Sequence, residues 1–481
     1  MRKSRLIFVC LFFCIVLQAQ TFEERYNEFK NAAKKEYDDF RLAVNKEYAD
    51  FMRQAWEYYK VAPVIPVPKE EVIPPVIYSQ KDEKEDPTVL PYEEIVVPPL
   101  PEEQPKPIVP IKEDEKATDY FKFVFLGTEG RVRISDSISF KIKTSNEETL
   151  ASTWKYLSQL SLNNLIRDCL ELRIRHRLCD WAYLQMLQCL SESLLGKDTN
   201  EALFLQSFLF NQSGYKMRLA YSQNGKLFLL IASKYQIYDM SYYEIDGEYY
   251  YPLNCQEEGL YICTVSYPKE QSLSLAIDKD MALSIIKTKE RVLKAEGCPM
   301  QVSVNVNRNL IDFYNNYPTS MIDDDFGTRW TMYANTPINS ESRESLYAQL
   351  KKQIHGKNEW IVVNMLLNFV QTAFVYEYDD KVWGEDRAFF AEETLFYPYC
   401  DCEDRSILFS RLVQDLLGLK VVLLYYPGHL ATAVCFTSDV EGDYLMIDGK
   451  KYIVCDPTYI NAPAGVTMPD MDNLTAKVIQ L

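Results

Sequence analysis

Three residues in the C-terminal third have the types and order that nucleophilic catalysis requires. Cys402 stands at the start of a predicted helix, and His429 opens a predicted strand after the turn Pro427-Gly428. Asp456 follows the predicted strand Lys451–Cys455. If the three side chains converge, His429 takes the thiol proton and Asp456 holds the imidazole tautomer and supports its charge. The pattern predicts a thiol nucleophile at Cys402 that His429 activates and Asp456 supports.

The local sequence bears on the charge of this thiol. Unpaired backbone N–H groups at a helix N-terminus stabilise a thiolate, whereas the charges of Glu403 and Asp404 oppose it. A positive partner is therefore needed, and His429 is the candidate.

Other interpretations compete for these cysteines. A lone cysteine is most often a small buried hydrophobe. A zinc site could combine Cys400, Cys402, His429 and Cys435, although the C-x-C spacing is shorter than the usual gap between zinc ligands. Cys435 and Cys455 lie in predicted strands and fit either core positions or a cross-strand pair. We predict no cofactor and no bound metal.

The motifs around the three residues resemble those of bacterial transglutaminase-like cysteine proteins. Glu393-Thr394-Leu395 followed by Asp401–Ser406 is similar to the P-x-E-T-L … G-D-C-E-D signature of that family, and Cys400 replaces the usual glycine. His429-Leu-Ala and Asp456-Pro-Thr follow in the family's order. The resemblance covers about 360–465. It implies a papain-like α+β fold, amide cleavage or exchange through a thioester, and the roles of nucleophile, base and orienting residue for Cys402, His429 and Asp456.

Acyl transfer of this kind also needs donors to the oxyanion. The backbone N–H of Cys402 is the natural donor. By the same resemblance, Gln371, on the predicted helix Glu359–Phe374, could supply its side-chain amide as glutamine does in papain-like enzymes. The alternative for Gln371 is an ordinary surface glutamine.

Composition limits the classes of function open to the chain. The 481 residues include only three histidines, and the formal charge is −17. So few histidines exclude a His-rich metal cage. Without a basic stripe to neutralise phosphates, the chain is also unsuited to binding nucleic acid.

The N-terminus predicts export. Residues 1–19 combine basic residues, the apolar run Leu6–Leu17 and Gln18-Ala19-Gln20, which is the layout of a secretory signal peptide cleaved near Ala19. The apolar run is too short for a permanent anchor, and no later stretch is apolar enough to cross a membrane. The expected location is the periplasm, the cell surface or the medium. Ten cysteines remain after cleavage, in a compartment where disulfides form.

Two segments separate the signal from the globular part. Residues 21–60 repeat Tyr and Phe every eleven residues, at Tyr26, Tyr37 and Tyr48 among others, which predicts a long amphipathic helix. This helix would pack on itself as a coiled coil, on another copy, on a partner or on the main body. Residues 61–117 hold 13 of the 23 prolines and many acidic residues, which predicts an extended acidic linker.

The globular part is predicted to be α+β in two domains. Residues 118–300 form a mixed region, and residues 301–481 form the transglutaminase-like catalytic domain, with its cysteine helix packed on an antiparallel sheet. Glu201–Tyr221 and Glu403–Tyr425 share a helix–Gly–Lys–strand pattern. The shared pattern is either a chance similarity or a sign that 118–300 contains a degenerate copy of the C-terminal domain. Such a copy would be degenerate because it has neither cysteine nor histidine at the matching places.

These patterns predict an exported thiol-dependent enzyme that hydrolyses peptide or isopeptide bonds in protein, peptide or cell-wall peptide substrates. Cross-linking, with an amine in place of water, remains open. The alternative is a catalytically inactive transglutaminase-like protein that binds or assembles partners in the cell envelope.

Overall fold

The computed structural model describes residues 35–69, 72–79, 86–97, 104–115, 119–134, 138–322, 325–471 and 474–481. The predicted signal peptide and residues 21–34 of the predicted N-terminal helix lie outside these ranges. The described chain is mixed α+β, as predicted. None of its helices combines the length and apolarity needed to cross a bilayer.

Helices make up much of the layer that surrounds the sheets. They are α1 (35–52), α2 (Glu147–Gln159), α3 (Asn163–Arg175), α4 (Asp180–Leu195), α5 (Asn200–Gln212), α6 (Arg308–Tyr314), α7 (Arg329–Asn335), α8 (Ser340–Ile354), α9 (Glu359–Thr372), α10 (Asp379–Val382), α11 (Ala391–Phe396) and α12 (Cys402–Leu417).

The strands are β1 (Trp56–Lys60), β2 (Tyr92–Ile95), β3 (Asp119–Phe125), β4 (Thr128–Ile134), β5 (Met217–Tyr221), β6 (Leu227–Ala232), β7 (Gln236–Ile237), β8 (Tyr243–Ile245), β9 (Glu248–Pro252), β10 (Gly259–Cys263), β11 (Arg291–Lys294), β12 (Gln301–Val304), β13 (Ser320–Met321), β14 (Val375–Tyr376), β15 (Tyr399–Cys400), β16 (Lys420–Tyr426), β17 (His429–Cys435), β18 (Tyr444–Ile447), β19 (Lys450–Cys455) and β20 (Ala476–Gln480).

The C-terminal sheet carries two of the three predicted catalytic residues. Its strand order is β18-β19-β17-β16-β20-β2, antiparallel except for the β2–β20 pair. The sheet curls until its edges approach, and Leu90 N donates to Tyr444 O at 2.9 Å just before β2. Alternate residues of the strands fill the interior of the curl, among them Val422, Leu424 and Ala433. Helix α12 packs on β16 and β17 from outside.

A second curled sheet in the N-terminal half has the same strand order, β8-β9-β6-β5-β10-β1. In each half a helix, α5 or α12, leads into the central hairpin of the sheet, β5–β6 or β16–β17. The edge strand differs, because β1 is antiparallel to its neighbour. Helix α5 begins at Asn200 and β6 at Leu227, so the first half lacks a cysteine and a histidine where α12 and β17 begin.

The predicted helix 21–60 is wrong beyond residue 52. There the chain turns, and Trp56–Lys60 becomes an edge strand paired with β10. The aromatic residues of this segment are compatible with a helix or a strand. The strand forms because β10 offers an open sheet edge to which the segment can hydrogen-bond. The described part of the helix packs on the main body, where Tyr48, Ala49 and Met52 are buried.

The predicted linker 61–117 is also wrong as a free spacer. Its residues Tyr92–Ile95 pair with β20, and Leu90 belongs to the core inside the C-terminal sheet. Proline cannot donate to a ladder, but edge strands tolerate it.

The predicted boundary at 300/301 falls inside the β11–β12 hairpin, and one apolar core runs through both halves.

Candidate active site

Cys402 is the first residue of α12 because Asp401 caps that helix. The Asp401 carboxylate accepts from the amides of Glu403 and Asp404, at 3.1 and 3.4 Å, and Asp404 accepts in return from the Asp401 amide at 3.2 Å. This reciprocal capping satisfies N–H groups that would otherwise lack partners. It fixes the backbone on which the thiol stands.

His429 and Asp456 are brought together by neighbouring strands. His429 opens β17 after a tight turn in which Gly428 has φ +75°. Its Nε2 lies 2.9 Å from Asp456 Oδ2, and Asp456 Oδ1 accepts from the amides of Thr458 and Tyr459. One oxygen of the Asp456 carboxylate is thus fixed by backbone amides, and the other orients the His429 ring.

The second ring nitrogen of His429 is free in the cavity that Cys402 also lines. Nδ1 is buried and has no hydrogen-bond partner, and the His429 and Cys402 side chains line one cavity of about 480 Å³. Ser406, one turn into α12, donates to the carbonyl of Leu430 at 2.8 Å. That bond fixes α12 against the start of β17, next to the two reactive groups.

The surroundings of Cys402 disfavour its thiolate. Burial, with the nearby carboxylates of Asp401 and Glu403, raises the pKa of Cys402 well above its ordinary value, and the Leu430 amide partly opposes the rise. Glu403 thus opposes ionisation of the thiol, as its place in the first turn predicts.

One wall of the cavity is formed by carboxylates. Oxygen atoms of Asp379, Asp386 and Glu403 lie within 4.8 Å of one another. Arg329 contacts two of these residues, at 2.9 Å from Asp386 and 3.1 Å from Glu403, and Trp330 Nε1 donates to Glu403. Burial and the neighbouring Glu403 and Asp386 raise the pKa of Asp379 to about 8. We call Asp379, Asp386 and Glu403 the acidic wall.

Residues 61–79 also contribute to the cavity. Pro68, Lys69 and Val72 line it together with the reactive groups. The Ile73 amide donates to the carbonyl of Gly428, adjacent to His429, at 2.9 Å.

Gln371 does not reach the cavity lining. Its amide nitrogen donates to the carbonyls of Asp456, Tyr459 and Ala462, and its oxygen accepts from the Asn461 amide. This glutamine is 2 % exposed, so it is not a surface residue either. Its bonds hold the loop that presents Asp456, which makes it a positioning residue rather than an oxyanion donor.

The acidic motifs beside Cys402 have structural partners. Asp404 accepts from the Phe389 amide at 2.8 Å, and Glu393 accepts from the Phe390 amide at 3.1 Å and pairs with Arg387. Arg405 donates to the carbonyls of Gln371 and Phe374, where α9 ends. These bonds explain why the sequence places such residues around α12.

The four proposed zinc ligands do not form a cluster. Among the described residues, the groups of three potential ligand atoms consist only of carboxylates, at Asp379-Asp386-Glu403 and Asp401-Glu403-Asp404. Cys435 and Cys455 are not disulfide-bonded, nor are the other described cysteines.

Sequence reasoning missed the acidic wall and its partners Arg329 and Trp330. The available signal was the acidic pair Glu385-Asp386 beside Gly384, close after Asp379-Asp380 in a polar stretch. Only the fold brings α7, α10 and α12 to the same cavity.

Comparisons with known proteins found no match. No protein-family model matches the chain, and no curated protein or solved structure does.

Proposed function

We propose that the chain is an exported thiol-dependent acyl-transfer enzyme that hydrolyses peptide or isopeptide bonds, with a transglutaminase-like C-terminal domain. The observation that carries the proposal is the 2.9 Å contact between His429 Nε2 and Asp456 Oδ2, with the unpartnered Nδ1 in a cavity shared with Cys402. That is the arrangement a thiol nucleophile and its base require.

The reaction has two stages. His429 Nδ1 takes the thiol proton as the Cys402 sulfur attacks the amide carbon, and the proton then passes to the leaving amine as the carbon–nitrogen bond breaks. Water, deprotonated by the same nitrogen, attacks the thioester, releases the acid and restores the thiol. Asp456 stabilises the imidazolium in both stages. The Cys402 amide, at the helix N-terminus, is the candidate donor to the oxyanion.

Alkylation by iodoacetamide tests the base–nucleophile pair. We expect Cys402 of the full chain to react faster near neutral pH than the other cysteines, by peptide mass spectrometry. His429→Ala should slow this reaction by about 100-fold, the order of one general-base contribution. His176→Ala is the matched control, because its Nδ1 contacts the Ala282 carbonyl, on a different element. Equal labelling of several cysteines, or no effect of His429→Ala, would contradict the proposal.

The burial of Cys402 favours a second candidate, an inactive binding or assembly protein. The residue is 6 % exposed, and burial raises the pKa of its thiol. An inactive protein would protect Cys402 from alkylation in the folded chain and would release it only on unfolding. The same experiment therefore separates the two functions.

A further inference from the structure

The acidic wall is a built feature of the cavity that contains Cys402. Asp379 and Glu403 are buried, with 9 % and 4 % of their surfaces exposed, and Asp386 is half-buried. They come from three places in the chain, namely the start of α10, the loop after it and the first turn of α12. Three carboxylates this close repel one another unless a cation lies among them or one of them takes up a proton, and the raised pKa of Asp379 reflects that repulsion.

Among the described residues, the cavity lining holds more acidic than basic side chains. The basic ones are Lys69, Arg329 and Lys381, and the acidic ones are Asp379, Asp380, Glu385, Asp386, Asp401 and Glu403. Arg329 gives one guanidinium to Asp386 and Glu403, and its side chain is 5 % exposed. Lys381 lines the same cavity, but its ammonium pairs with Glu377 at 2.9 Å. Asp380 and Glu385 add two further acidic residues to the lining. The cavity is therefore suited to a cationic guest.

An independent observation at Glu403 points to a missing donor. Glu403 Oε1 is buried and has no hydrogen-bond partner, while Oε2 accepts from Arg329 and Trp330. A buried carboxylate oxygen without a donor is destabilising, and a ligand N–H group would satisfy it.

We propose that the acidic wall binds a primary ammonium group of the acyl-donor substrate, either a lysine-type side chain or a free amino terminus. This inference rests on the proposed acyl-transfer function. An ammonium has three donors, which suits three converging carboxylates. A divalent cation suits the site less, because the Arg329 guanidinium already lies against two of the three groups. Carboxylates keep the bound amine charged, so it is a recognition group and not the attacking nucleophile.

Such a guest would also favour catalysis. Glu403 is among the groups that raise the pKa of Cys402, and the crowded wall raises the pKa of Asp379 to about 8. A bound ammonium offsets both effects, since a positive charge stabilises carboxylate and thiolate alike. Recognition of the substrate thereby assists formation of the nucleophile.

Charged thiol reagents test the wall without knowledge of the substrate. We would compare labelling of Cys402 in the full chain by 2-aminoethyl, methyl and 2-sulfonatoethyl methanethiosulfonate, which are cationic, neutral and anionic. The cationic reagent should react fastest and the anionic reagent slowest. At about pH 9, above the pKa of about 8 of Asp379, Asp379→Asn should lower the cationic-to-anionic rate ratio by about tenfold, the effect of one unit charge at close range.

The matched control is Asp448→Asn, which removes the same charge at an exposed turn between β18 and β19, outside the lining of this cavity. It should leave the ratio within about twofold. Equal rates for the three reagents, or equal effects of Asp379→Asn and Asp448→Asn, would overturn the proposal. Circular dichroism establishes that each variant is folded.

Ligand-induced thermal stabilisation separates the sources of the ammonium. Nα-acetyl-lysinamide carries it on a side chain, alaninamide on the amino terminus, and Nα-acetyl-norleucinamide lacks it. One of the first two should raise the melting temperature of the wild type but not of Asp379→Asn. Stabilisation by calcium or magnesium chloride alone, lost in Asp379→Asn, would assign the wall to a metal instead.

The two readouts distinguish failure of this inference from failure of the proposed function. A reactive Cys402 with no charge preference and no stabilisation by either amine removes the ammonium site and leaves acyl transfer standing. Stabilisation by an amine with an inert Cys402 keeps the ammonium site and removes the catalytic function.

Discussion

The ionisation of Cys402 is set by neighbours that act in opposite directions. Burial and the carboxylates of Asp401 and Glu403 raise the pKa of the thiol, and the Leu430 amide lowers it. In the proposed mechanism, His429 accepts the thiol proton through Nδ1, and Asp456 provides the counter-charge. With this balance the thiolate forms only as the proton moves to His429.

Asp401 provides a direct test of this balance. Asparagine caps a helix about as well as aspartate, so Asp401→Asn removes the charge and keeps an oxygen for the Glu403 and Asp404 amides. Because the carboxylate disfavours the thiolate, the pKa of Cys402 should fall in this variant. The midpoint of the pH dependence of its alkylation by iodoacetamide should move to lower pH.

Asp448→Asn is the control for this shift, because it changes the net charge equally at an exposed site outside the cavity lining. An alkylation midpoint that stays in place or moves to higher pH in Asp401→Asn would show that the carboxylate does not act on the thiol.

At the scale of elements, the segment 72–79 fixes one side of the cavity. The Ile73 amide donates to the Gly428 carbonyl. Further along, the Tyr78 amide donates to the Ile460 carbonyl, and the Ile460 amide donates to the Val76 carbonyl. Proline cannot donate, so Ile73→Pro removes the bond beside His429, in a stretch already followed by Pro74 and Pro75. It also removes the Ile73 side chain, which packs on the core of the C-terminal sheet, and Ile73→Ala, which keeps the amide, measures that second loss. Loss of a bond that contributes about 1 kcal/mol should increase opening, and Cys402 labelling, about fivefold.

The matched control is Ile77→Pro. Ile77 lies between Val76 and Tyr78, whose backbone groups carry the hydrogen bonds to Ile460, so this substitution should leave the labelling rate within about twofold. A rate unchanged in Ile73→Pro would mean that the segment does not limit access to the thiol.

Local signals were sufficient for the elements that carry the predicted catalytic residues. A helix was predicted over Glu359–Phe374 and is observed over Glu359–Thr372, and the strand predicted at Lys451 begins at Lys450. Apolar periodicity and turn residues specify such segments. The elements predicted wrongly, residues 53–60 and the proline-rich linker, obtain their structure from sheet edges distant in sequence, which no local pattern reveals. Gln371 was placed on the right helix, but its contacts depend on the loop after Asp456.

At the scale of the molecule, the two halves repeat one topology and differ in their chemistry. Both curled sheets have the same strand order and a helix leading into the central hairpin. The cysteine and histidine occur only in the second half, where α12 and β17 begin. The common strand order supports the hypothesis of a degenerate copy. One continuous core joins the halves, so the first half stabilises the second.

The buried acids of the core also govern the stability of the whole chain. Burial raises the pKa of Glu392 and of Glu393 to about 7, whereas glutamate in an unfolded chain titrates near 4.5. Between these pH values the folded chain binds more protons than the unfolded chain. The free energy of unfolding therefore falls as pH rises from about 4.5 to about 7, by roughly 3 kcal/mol for each fully buried carboxyl.

Thermal unfolding should reveal this dependence, with a melting temperature several degrees higher at pH 5 than at pH 8. Glu392→Gln keeps the shape of the neutral acid and an acceptor for the Tyr314 hydroxyl, so it should flatten the profile by raising stability at pH 8. Glu385→Gln, at an exposed position, is the control and should preserve the wild-type slope. If Glu392→Gln keeps that slope as well, Glu392 is ionised in the folded protein and the stated cause of the pH dependence is wrong.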